Sequence, residues 1–101
     1  MNGEDLPEDP ATALETLRQR IDVLDRELLE LLMRRADVAC DISRAKQDLG
    51  RPVRDAARED AAFEQRRLWA KELGLDEGFV ERLFEEVLLW SRGLQERERE
   101  G

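Results

Sequence analysis

Arg35 occupies a position that its neighbours reserve for apolar side chains. From Leu14 to Ala45 the chain sets Leu14, Leu17, Ile21, Leu24, Leu28, Leu31, Arg35, Val38, Ile42 and Ala45 at alternating steps of three and four. That is the a/d seam of a long helix packed lengthwise against other helices. A guanidinium in such a seam carries a heavy desolvation cost unless an anion meets it. Either an acid lies opposite, or the seam is built around an anionic ligand. Lys46 lies eleven residues, three helical turns, after Arg35, so both can face one cavity. Ser91 and Gln95 stand one turn apart on a later apolar stripe, and Arg58-Glu59 follows a short linker after the first helix. Arg18 flanks the seam 17 residues before Arg35, about 25 Å along a helix. One chain cannot bring these two arginines together, whereas an antiparallel partner could supply its Arg18. Arg18, Arg35, Lys46 and Arg58 would then make a cationic pocket suited to a small dianion, which arginine holds bidentately. Glu59 is the one acid there, and a ligand hydroxyl would satisfy it.

Each residue alone also has a plain structural account. Arg35 can be salt-bridged to an acid of a partner helix. Lys46 and Arg18 can be solvated helix faces, and Ser91 a small residue that permits close helix approach. Gln95 can belong to a fraying end, and Arg58-Glu59 can be first-turn surface charge. The Leu, Val, Phe and Trp positions read as core.

Composition narrows the chemistry. The 101 residues suffice for one domain, with 42% charged and a periodic 41% apolar content. Histidine is absent, which removes the usual neutral-pH acid/base and the commonest metal ligand. Cys40 stands alone, so neither a disulfide framework nor a cysteine-rich metal site is expected, and no cofactor is implied. A net charge of −8 argues against nucleic acid or an anionic membrane as partner. With no long apolar run and an acidic start at Met1–Pro10, a cytoplasmic, soluble protein is expected.

The elements that must position these residues are three helices, an all-α fold. Residues 1–10 read as a loose arm, residues 11–97 as the helical domain and 98–101 as a charged tail. Asp9-Pro10 provides an N-cap and first-turn proline, with Thr12 and Glu15 as an alternative capping box. The first helix reaches Leu49, and Gly50 supplies a left-handed stop. Arg51-Pro52-Val53-Arg54 is extended. Asp55 caps a second helix over 56–73, with Ala62, Phe63, Arg66, Trp69, Ala70 and Leu73 as its stripe, closed by Gly74. Asp76 caps a third, whose stripe is Val80, Leu83, Phe84, Val87, Leu88, Ser91, Leu94 and Gln95, with fraying expected beyond. The first helix, about 55 Å long, is too long for two shorter helices to cover. A second copy can cover it, which implies an interleaved, domain-swapped homodimer.

Together these residues resemble the all-helical (type II) chorismate mutases, over Leu14 to Gln95. The resemblance rests on LRQRIDVLDRELLELLMRR at 17–35, ISRAK at 42–46, RPVRDAARE at 51–59 and LDEGFVERLF with the later Ser91 and Gln95. It implies rearrangement of chorismate to prephenate in a domain-swapped three-helix dimer. Arg18 would reach into the partner's site and bind one substrate carboxylate, and Arg35 would bind the other. Lys46 and Gln95 would hydrogen-bond the ether oxygen whose bond breaks. Glu59 and the backbone amide of Asp55 would hold the ring hydroxyl, while Arg58 and Ser91 complete the carboxylate contacts. Isochorismate-pyruvate lyases and aminodeoxychorismate mutases share this fold. The tract at 66–90, with both tryptophans, has a lyase-like flavour, whereas the linker and Ser91 look like the mutases. A non-enzymatic helical dimerisation or regulatory module is the third reading.

Overall fold

The computed structural model describes residues 6–100; positions 1–5 of the expected arm and Gly101 lie outside the described residues. Its elements are α1 (Pro10–Asp48), α2 (Ala56–Leu73) and α3 (Glu77–Glu100). Local chemistry sets their ends. The Asp9 carboxylate accepts from the Thr12 amide at 2.9 Å and the Thr12 hydroxyl at 2.8 Å. These bonds satisfy an otherwise orphaned helix donor and hold the Asp9 carboxyl below its ordinary value. Asp55 accepts from the Arg58 amide at 3.1 Å and Asp76 from the Phe79 amide at 2.7 Å.

Both inter-helix stops use a left-handed glycine, Gly50 at φ 70° and Gly74 at φ 75°. At the first, the Gly50 amide donates to Gln47 O (3.0 Å) and the Arg51 amide to Lys46 O (2.7 Å). This is the paired bonding of a Schellman close. At the second, the Gly74 and Leu75 amides reach Lys71 O and Ala70 O.

The chain divides into two compact units, one ending at Arg35 and one beginning at Ala36. In the first, the seam residues Leu14, Leu17, Ile21, Leu24, Leu28 and Leu31 are each 41–59% exposed. In the second, α2 and α3 form a helical hairpin joined by ion pairs from Arg67 to Glu81 and from Arg92 to Glu59. The Arg66 guanidinium lies 4.4 Å from the Phe84 ring centre and 5.2 Å from that of Phe63, an attraction between cation and ring face.

The end of α1 meets α3 through Ala36, Ala39 and Ser43, all buried, with Lys46 half-buried in the same row. That row lies one residue beyond the a/d row expected to be the core, and within the chain Val38 and Ile42 stay 56% and 46% exposed. Small side chains let α3 approach, and its buried residues Val80, Val87, Ser91 and Gln95 line one face. Two further expectations are corrected. Trp69 and Leu73 are 52% and 74% exposed, because the face of α2 that meets α3 carries Phe63, Arg66 and Ala70 instead. The stretch after Gln95 does not fray: α3 continues to Glu100, fixed by bonds from Arg44 to Glu98 and from Arg99 to Ser43. Among the described residues no helix is long and apolar enough to cross a membrane.

Candidate active site

Lys46 stands in the last turn of α1, where its own backbone carbonyl receives the Arg51 amide. Its ammonium reaches over the same linker and donates to Val53 O at 2.8 Å. Lys46 therefore holds the linker twice, once by its main chain and once by its side chain. Gln95 is buried on α3 and its Nε2 donates to Ala39 O at 2.7 Å, seven residues before Lys46 on α1. The ammonium has three donors and the amide two, and each spends one on these carbonyls. Ser91, also buried, lies one turn before Gln95. Two donors and a hydroxyl thus belong to the second unit, on rigid helical backbone.

Asp55, Arg58 and Glu59 sit at the start of α2, with the Asp55 and Arg58 side chains exposed. Glu59 is largely buried and is gripped by Arg92, with Nη2 to Oε1 at 2.5 Å and Nε to Oε2 at 3.2 Å. Arg54 approaches Glu59 at 3.7 Å. The acid expected to await a ligand hydroxyl is therefore already gripped by a two-pronged guanidinium. Arg92 went unread in the sequence: it lies 33 residues from Glu59, and no helical period links them. The one acid among four basic residues was the only hint in the sequence.

Arg18 and Arg35 belong to the first unit. Arg18 is exposed on α1; Arg35 is half-buried, and that burial pushes its guanidinium below the ordinary arginine value. An open groove between α2 and α3 is lined by Asp60, Glu64, Glu81, Glu85 and Glu86 against Arg67 and Arg92. Its acidic lining repels a dianion, and none of the eight expected site residues lines it.

The sequence profile of the family described as chorismate mutase type II matches residues 17–96. The chain belongs to that family. The match spans all eight expected site residues, from Arg18 to Gln95. Among its relatives, the chorismate mutase of Methanocaldococcus jannaschii is 30% identical over 84 residues, 83% of this chain and 85% of that protein. The isochorismate pyruvate lyase of Pseudomonas aeruginosa is 38% identical over 87 residues, 83% and 81% of the two chains. The bifunctional chorismate mutase/prephenate dehydratase of Enterobacter agglomerans is 37% identical over 79 residues. The match covers 78% of this family member but spans about a fifth of that longer protein.

Proposed function

We propose that this chain is a chorismate mutase, an isomerase that converts chorismate to prephenate by a [3,3] rearrangement for aromatic amino-acid biosynthesis. The observation that carries this reading is a family match that takes in the whole set of cationic, amide and hydroxyl groups. The reaction breaks one carbon–oxygen bond as a carbon–carbon bond forms, so it needs no nucleophile. What the protein must supply is a compact, reactive substrate conformer and donors for charge growing on the ether oxygen. Lys46 and Gln95 are those donors, and their remaining N–H groups are available for the task. Arg35 and the partner's Arg18 take the two carboxylates, with Arg58 and Ser91 completing the grip. Glu59, held as an acceptor by Arg92, and the Asp55 amide take the ring hydroxyl.

The exposed seam of α1 supports assembly as a homodimer with helices interleaved between protomers. Each site then borrows one arginine. The test follows chorismate absorbance with wild type, Arg18→Ala and Arg35→Ala, and identifies product by chromatography. Wild type should form prephenate and both variants should be nearly inert. Mixing the two variants should restore about a quarter of wild-type turnover, since hybrids carry one intact site. No recovery in a mixture proven to exchange subunits would overturn the shared site. The likeness to the Pseudomonas lyase, which extends over most of both chains, favours isochorismate cleavage as the second reading. Release of salicylate and pyruvate from isochorismate, with chorismate untouched, would establish it instead.

A further inference from the structure

Arg99 lies beyond the stretch that matches the family, on the last turn of α3, and it binds three separate groups. Its Nε donates to Ser43 Oγ at 3.2 Å, and its Nη2 to Ser43 O at 3.3 Å and Arg51 O at 2.9 Å. Arg51 is also the residue whose amide bonds Lys46 O at 2.7 Å, and Val53, two residues on, accepts from the Lys46 ammonium. One planar guanidinium therefore fastens the turn that carries Lys46 on both sides, to the helix before it and to the linker after it. Its rigid fork suits this better than a flexible ammonium. The neighbouring pair of Arg44 and Glu98 joins the same helices at 2.6 Å and touches neither Arg51 nor Val53.

We propose that Arg99 is a positioning residue that fixes the Lys46 ammonium by clamping Ser43 and the Arg51 carbonyl. The catalytic part of this proposal rests on the mutase reading above. Lys46 serves an oxygen whose charge grows in the transition state, so its misplacement lowers kcat and leaves the carboxylate grip, and hence KM, nearly unchanged.

The experiment compares wild type, Arg99→Ala, Arg99→Lys and Arg44→Ala for kcat, KM, helical content and amide hydrogen exchange at Arg51. Arg99→Ala should keep wild-type helical content, lose about 10- to 100-fold in kcat and change KM by less than about twofold. Its Arg51 amide should exchange about 10-fold faster or more, while mid-α2 amides keep their protection. Arg99→Lys should recover part of both losses, and Arg44→Ala should match wild type. Wild-type kcat in a folded Arg99→Ala protein would overturn the proposal. So would a lower kcat with unchanged exchange at Arg51, or an equal loss in Arg44→Ala. If wild type itself turns over neither chorismate nor isochorismate, the functional reading falls. Exchange at Arg51 would still decide whether Arg99 sets the Lys46 turn.

Discussion

Burial holds the Arg35 guanidinium below its ordinary value, so the folded chain binds that proton less tightly than the unfolded chain does. For a cation the sign is unfavourable: folding is opposed at every pH where the unfolded arginine is charged, and the penalty is relieved only as pH rises through the lowered folded value. Even so displaced, a guanidinium stays charged across the working range, so pH should not modulate this term near neutrality. Arg35→Leu is expected to keep the helical fold while losing nearly all turnover, which far-UV circular dichroism and the chorismate assay check together. A folded variant that stays active would contradict the carboxylate role. The proposed mechanism also carries a pH profile. As the proposed ether donor, Gln95 donates without needing a protonated carboxylic acid, so kcat/KM should stay nearly flat between about pH 5 and 8. A steep fall above pH 5 would remove Gln95 as the ether donor.

At the scale of elements, the helix ends were legible because their chemistry is local. Asp9, Asp55 and Asp76 start helices and Gly50 and Gly74 stop them, each by bonds within a few residues. Which face of α1 is buried within the chain was not legible. The seam read from spacing differs by one residue from the Ala36, Ala39 and Ser43 row that meets α3, and only the neighbour makes that choice. Residues proposed for the site that share a helical register, such as Ser91 and Gln95, stand out in the sequence. Arg92 and Arg99 could not, since their partners lie 33 and 56 residues away. The glycines give a prediction of two signs. Gly74→Ala forces a β-carbon into the left-handed region and should cost about 1 kcal/mol. A β-carbon at Gly93, inside α3, meets only Arg97 Nη1 at 3.6 Å, so Gly93→Ala should add about 0.5–1 kcal/mol. Denaturant midpoints of the two variants should move in opposite directions.

For the whole molecule, the buried apolar residues among those described are Ala36, Ala39, Ala70, Val80 and Val87, while leucines line an open seam on α1. An apolar strip of that extent marks an association surface. In the proposed dimer the larger share of apolar burial comes from the second copy. Leu24→Glu should then sediment at the 11.8 kDa chain mass where wild type sediments at twice that value, and its melting temperature should lose the rise with concentration that binding confers. A wild-type protein that sediments as a single chain would remove the shared site with it.

That seam also decides when the fold can be completed. A lone helix has little stability in water beyond what packing gives it, and α1 is made before α2 and α3. In the proposed dimer its leucines wait for another polypeptide rather than for the rest of their own. Maturation is then a second-order event, limited by how often two nascent or newly released chains meet. Until they do, the exposed strip is the natural target of chaperones and the natural seed of aggregation.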